Sequence, residues 1–193
     1  MNKNDLRYLK TEKNLKSAFL TLIEEKPCHD ITVKDICKQA QCSRNTFYLH
    51  YEVKEDLYQT IMADILDNLA DAFETRVSHI SQIDDNVSRT YTNSIIDSIS
   101  RNKKAIGILA ARDKGLFLKQ FTETIFDKCM LGTQKLSKKG DSPAVRLNNA
   151  YLASSITGFI FEWLKHPDIS DTEAKELLFT IHRQTMETCY QAL

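Results

Sequence analysis

The sequence predicts an all-α protein of 193 residues, a three-helix N-terminal head followed by a larger helical body. Three observations carry this expectation. Apolar residues recur at helical spacing nearly throughout the chain. Only five glycines and three prolines interrupt it, which favours long elements. Side chains suited to capping stand before several of the periodic runs. No strand pattern and no internal repeat is visible.

Leu15, Phe19, Leu22 and Ile23 define a first helix over about residues 6 to 25, ended by Pro27. Thr32 followed by Asp35 reads as a capping box, with Ile31 as its hydrophobic staple. Val33, Ile36 and Ala40 mark the inner face of the short second helix that follows. "QCS" is a tight turn, and Ser43 caps a third helix, Arg44 to Tyr51. A long fourth helix is expected from Lys54 to Ser78, with Leu57, Ile61, Ile65, Leu66, Leu69 and Phe73 on one side. Beyond it, helices are expected over about 87–101, 103–111, 116–133, 143–165 and 171–190. Ser142-Pro143 is a strong helix start, and Ser170 with Glu173 forms a second capping box.

Composition excludes several classes. Hydrophobic residues at 42% and charged residues at 27% fit a globular chain rather than a disordered one. No run approaches the length of a membrane span, and the polar, charged N-terminus is no export signal, so a cytoplasmic protein without membrane contact is expected. The five cysteines (28, 37, 42, 129 and 189) form no C-x-x-C and read as free thiols; a redox sensor at Cys28, Cys37 or Cys42 is the alternative. The five histidines show no metal-ligand spacing, and no metal or cofactor is expected. Paired catalytic carboxylates, a nucleophile with its base and a phosphate-cradling glycine loop are all missing, so the chain does not read as an enzyme. Net charge is zero, yet residues 1–54 hold ten Lys and Arg against seven Asp and Glu. The head is therefore the part suited to a polyanion.

The second and third helices form a helix-turn-helix pattern. Stepping 100° per residue along "RNTFYLHY" puts Phe47 and Tyr51 together on a core-facing side. Asn45 and Leu49 then point almost the opposite way, beside Thr46 and flanked by Arg44, Tyr48 and His50. Arg and Asn read guanine and adenine edges, and Leu or Thr meets a thymine methyl. Tyr48, His50 and Lys54 can bind phosphates. The competing reading is that Tyr48 and His50 are half-buried residues of an ordinary helical corner.

The stretch "ITVKDICKQAQCSRNTFYLHYEVKEDLY", with T-F-Y-x-H-Y followed by K-E-D-L, resembles the DNA-binding segment of the TetR family of bacterial transcriptional regulators. The likeness covers roughly residues 8 to 60. It departs from the family in having Gln41 and Pro27 where glycines are usual, and Asn45 where a small residue is usual. Gln41 must therefore enter a turn conformation that glycine reaches more easily. The resemblance implies that Thr32 and Val33 approach a phosphate and that Lys34 reaches the groove or backbone. Arg44, Asn45, Thr46 and Leu49 would face the bases, Tyr48, His50 and Lys54 would hold phosphates, and Ser43 is counted with the DNA-binding residues. Lys3, Arg7 and Lys10 form either a basic arm or a solvated tail.

The resemblance also divides the chain into a DNA-binding domain, 1–53, and a helical ligand-binding and dimerisation domain, 54–193. It implies a repressor that binds an inverted-repeat operator in double-stranded DNA as a homodimer and answers to an unidentified small-molecule effector. The last two long helices would form the dimer contact, with Ala153, Ser154, Gly158 and Phe161 as candidates. Phe117, Phe121, Phe126 and Trp163 are candidate pocket residues, with plain core packing as the competing role. The alternative to the whole reading is a TetR-like protein acting mainly through a protein partner, as co-regulator or activator.

Overall fold

The computed structural model describes residues 5–74, 77–79, 82–112, 115–136 and 141–191, with side chains to residue 183 and at 185. Among these residues the chain is all-α and no strand is present. The helices are α1 (Leu6–Glu25), α2 (Val33–Gln39), α3 (Arg44–Tyr48), α4 (Lys54–Ala72), α5 (Asp85–Arg101), α6 (Lys103–Arg112), α7 (Leu116–Leu136), α8 (Pro143–Trp163) and α9 (Asp171–Gln191). A 3-10 turn, Cys28–Asp30, lies between α1 and α2. Two compact units emerge: residues 1–65 with 104–117, and residues 66–103 with 118–193. The division falls inside α4 and groups most of α6 with the head, whereas the sequence suggested a boundary at 53/54.

In the first unit, Asp5 caps α1 by accepting from the Arg7 amide at 2.8 Å. Tyr8, Leu15, Ala18, Phe19, Leu22 and Ile23 form the buried stripe of α1. Lys26, held before Pro27, is extended, so the helix cannot continue. The expected capping box opens α2. Thr32 Oγ1 accepts from the Asp35 amide (3.2 Å), and Asp35 Oδ2 accepts from the Thr32 amide (3.0 Å). Asp35 also meets Lys26 at 2.9 Å; that bond and the two from Thr32 hold its carboxyl well below the usual range. Ile31, the staple, is buried.

The end of α2 is a Schellman motif. The Cys42 amide donates to the Cys37 carbonyl (3.0 Å) and the Gln41 amide to the Lys38 carbonyl (3.3 Å). Gln41 occupies the left-handed position with φ 53°, as its place in the turn demanded. Ser43 caps α3 through the Thr46 amide at 3.0 Å. Regular helix stops at Tyr48 rather than Tyr51, and a last tightened turn follows: His50 N donates to Phe47 O at 2.9 Å and Tyr51 N to the same carbonyl at 3.0 Å. That turn keeps Phe47 and Tyr51 together in the core with Phe19, Ile36, Leu57 and Ile61. Each such side chain contributes roughly 1.5–3 kcal/mol of burial. The Arg112 guanidinium closes α1 by donating to the Glu24 carbonyl at 2.9 Å.

In the second unit, α5 packs on α9. Their outer edges carry Lys175–Asp97 (2.6 Å) and Arg89–Glu176 (2.6 Å), with the Arg89 guanidinium also 3.9 Å from the Phe179 ring centre. The α7–α8 contact includes Thr133 Oγ1 donating to Asn149 Oδ1 (3.1 Å) and the edge-to-face Phe121–Phe161 pair. Ser142 with Pro143 starts α8, and Ser170 with Glu173 starts α9, both as expected. The fourth helix ends at Ala72, short of Ser78; Ser78 and His79 instead donate to Gln82 Oε1, and Asp84 caps α5 two residues earlier than anticipated.

Candidate nucleic-acid interface

The third helix is anchored by Phe47, which is fully buried, and by Tyr51. Tyr51 is further tied to α1: its hydroxyl donates to Glu12 at 3.4 Å, and Glu12 meets Lys16 at 2.8 Å. Lys16 also binds Asp64 at 2.7 Å. Burial opposes the charge on Lys16, but its bonds to Asp64 and Glu12 outweigh that and raise its pKa. The helix is thus fixed from behind by aromatic packing and an ion network.

What it presents is the opposite set. Leu49 is 59% exposed and Tyr48 56%, an arrangement that burial alone would not favour for either residue. Arg44 and Asn45 are exposed beside them, and Lys34 is exposed on α2. Thr46 is half-covered, its hydroxyl 2.8 Å from Ser43 Oγ. Ser43 and Thr32 both spend their oxygens on caps and set the helix starts. Val33 is half-buried on the inner side. Of the basic arm, Arg7 and Lys10 are exposed on α1, while Lys3 lies outside the described residues.

Two expected phosphate ligands are not presented this way. Lys54 turns inward: its Nζ donates to the carbonyls of Cys28 (2.9 Å), His29 (3.2 Å) and Ile31 (2.7 Å), and its side chain is 18% exposed. It closes the 3-10 turn before α2 rather than facing a polyanion. His50 stacks on Tyr8 with ring centres 3.9 Å apart, and both ring nitrogens are buried with no hydrogen-bond partner. Burial lowers its pKa against the opposing charge of Glu12, so the ring is a poor cation for a phosphate. The surface that remains is Lys34, Arg44, Asn45, Thr46, Tyr48 and Leu49.

The cysteines of the head are built for packing. Burial, with Cys42 adjacent, pushes the Cys37 thiol up to about 11, and burial also raises Cys28. A thiolate is the reactive form, so neither resembles a redox sensor. Among the described residues, no group of His, Cys, Asp or Glu is placed to hold a metal, and no helix is long and apolar enough to cross a membrane.

The second unit holds two further features. One is a cavity with about 710 Å³ of empty space, counting its solvent-open part. It is bounded by Phe73, Tyr91, Ile95, Lys128, Leu152, Ile156 and neighbouring residues of α5, α7, α8 and α9. None of the four expected pocket residues lines it. Phe121 and Phe126 pack against Phe161 and Arg146, and Trp163 donates from Nε1 to Ile169 O at 3.1 Å under the Lys103 ammonium. Phe117 is fully buried within the first unit. The other feature is an apolar stripe: Leu147 (72% exposed), Tyr151, Leu177 and Ile181 all face outward from α8 and α9. Ser154 and Gly158 continue the α8 stripe. Ala153 does not, being fully buried within the chain, and Phe161 is half-buried against Phe121.

The site is thus a capped helix-turn-helix head with a polar, leucine-bearing outer face, on an all-α chain with a cavity in its second unit. Comparison with known proteins shows what the head is similar to. Residues 17–61 match the family described as bacterial regulatory proteins, tetR family. The HTH-type transcriptional regulator EthR of Mycobacterium tuberculosis is 30% identical over 83 residues, which is 42% of this chain and 38% of EthR. The uncharacterized HTH-type transcriptional regulator YxbF of Bacillus subtilis is 25% identical over 101 residues, 52% of this chain and 27% of YxbF. The chain therefore spans well under half the length of either relative. In fold it is similar to a TetR transcriptional regulator from Streptococcus agalactiae, with TM-score 0.59 and 23% identity, covering 90% of this chain and 93% of that one. The likeness to the TetR family thus lies in residues 17–61, within the head. The relatives are regulators by name, not enzymes.

Proposed function

We propose that the protein is a cytoplasmic, sequence-specific DNA-binding transcriptional regulator, a ligand-responsive repressor acting as a homodimer on an inverted-repeat operator. In this reading residues 1–53 read the duplex and residues 54–193 regulate and dimerise. The observation that carries it is the outward set Arg44, Asn45, Tyr48 and Leu49 on a helix pinned by buried Phe47 and Tyr51. Arg44 and Asn45 supply the bidentate donors for base edges, Leu49 and Thr46 the apolar contact with thymine methyls, and Lys34 and Tyr48 the phosphate contacts.

Twofold pairing is supported by the exposed stripe on α8 and α9. Leu147 and Tyr151 lie one turn apart, as do Leu177 and Ile181, so two copies would bury all four pairs of residues in one four-helix contact. A side chain at Gly158 would meet nothing within 4 Å in its own subunit, so internal packing does not demand glycine there. The cavity of the second unit is the place for an effector, which must bind one conformation better than the other to shift DNA affinity.

The test is a genome-fragment selection with the purified protein at moderate salt, followed by affinity measurements across a salt series. An inverted repeat should emerge, with affinity falling steeply as salt rises. Replacing Arg44 or Asn45 by alanine should cost about 1–3 kcal/mol and relax the preference at one position of each half-site. Absence of any sequence preference, together with a stable heterologous partner on purification, would instead favour action through that partner.

A further inference from the structure

We propose that the cavity of the second unit takes a small amphipathic carboxylate, with the acid group at Lys128 and a hydrocarbon body among Ile95, Leu152 and Ile156. The proposal rests on the effector role assigned to that unit and adds the chemistry of the ligand. The lining is mostly apolar, which fits a body without charge.

The polar part of the lining has a definite sense. It carries one ammonium, Lys128, and no Asp or Glu among the described residues. Lys128 has no hydrogen bond or ion pair with any described residue, in contrast with Lys16, Lys26 and Lys175, each of which meets a carboxylate within 3 Å. The remaining polar groups, Ser88, Tyr91, Thr133, Asn149 and His182, are neutral and can both donate and accept. Burial lowers the His182 pKa to about 4, so at neutral pH the ring is uncharged, with one N–H and one acceptor nitrogen, and adds no charge of its own. The Thr133 hydroxyl is already turned to Asn149 Oδ1, and the Asn149 amide donates to Val145 O at 2.9 Å, so the main acceptor of the lining is partly used. A lining with one ammonium and no carboxylate selects an anionic acceptor over an alcohol or an amine. Lys presents a compact point charge with three donors, which suits a single carboxylate.

The experiment uses the full chain and three probes of equal length, octanoate, 1-octanol and octylammonium, below micelle-forming concentration, in titration calorimetry at neutral pH. Octanoate should bind roughly tenfold or more tighter than either of the others, the difference expected of a charge-assisted contact. Lys128→Met keeps the stem and removes the charge. It should bring octanoate down to the affinity of 1-octanol and leave 1-octanol unchanged, while Ile156→Trp, which fills the cavity, should abolish both. Equal or tighter binding of 1-octanol or octylammonium overturns the proposal. So does octanoate binding that ignores Lys128→Met or Ile156→Trp, and so does failure of all three probes to bind. A parallel operator-binding measurement separates this from the function proposed above: Lys128-dependent octanoate binding that leaves DNA affinity unchanged upholds the carboxylate site and removes its effector role.

Discussion

The two units dispose of their polar and apolar groups in opposite ways. The head is closed inside and chemically active outside: Phe19, Phe47 and Ile36 fill its core, and Arg44, Asn45 and Tyr48 stand in solvent. The second unit keeps Lys128, His182 and Asn149 around an internal space and offers hydrocarbon, Leu147 and Ile181, to the outside. Two half-buried histidines make the contrast concrete. His50 is sandwiched against Tyr8 in a filled seam, whereas His182 borders a cavity. The lesson is that one helical chain can keep its polar groups outside in one unit and around a cavity in the other.

Four substitutions or conditions probe that contrast, in falling order of expected effect. Phe47→Ala should remove about 3–5 kcal/mol from the stability of the head, through lost burial and the cavity left behind. Denaturant titration followed by circular dichroism would register it as an early transition, and a single unshifted transition would mean that the head does not depend on this anchor. Acidification should act on the second unit. The folded His182 has a pKa near 4 against 6.5 for an exposed ring. The unfolded chain therefore takes up its proton first as pH falls. Stability is whole above pH 6.5 and is lost down to about pH 4, by at most about 3 kcal/mol. Thermal melts between pH 7 and 4 should show the decline, and His182→Leu should flatten it.

Lys54→Met should cost about 1.5–3 kcal/mol of stability by orphaning three carbonyls. In the same variant the slope of DNA affinity against salt should stay as in the parent; a slope reduced by about one would restore Lys54 as a phosphate ligand. Smallest of all, Gln41→Gly should stabilise the head by about 0.5 kcal/mol, the relief of a left-handed L-residue less the added freedom of the unfolded chain. Its melting temperature should rise slightly with base preference unaltered.

Local rules made much of this legible. Thr32, Ser43, Ser142 and Ser170 announce helix starts because a cap and its amide lie within three residues of each other. The division of Phe47 and Tyr51 from Leu49 follows from helical geometry alone. The errors share one cause, which is distance along the chain. Lys54 is bound by carbonyls 23 to 26 residues away, and His50 by a ring 42 positions upstream, so neither side chain's direction is encoded nearby. The cavity draws on four helices and the ends of others, and a void has no local pattern. Aromatic character alone does not locate it: Phe73 and Tyr91 border the cavity, whereas Phe121 and Trp163 are buried in packing elsewhere. The outward stripe of Leu147 and Tyr151 was similarly hidden, because i and i+4 apolar residues look the same whether they face a core or a partner.

Lys54 is the first residue of α4, and its ammonium is gripped by the carbonyls immediately before Thr32. That grip works as a pivot pin. A tilt of the first turn of α4 must carry the start of α2 with it or break three charge-assisted bonds at once. The head would then answer a push on α4 as one solid piece, with little slack lost in the joint.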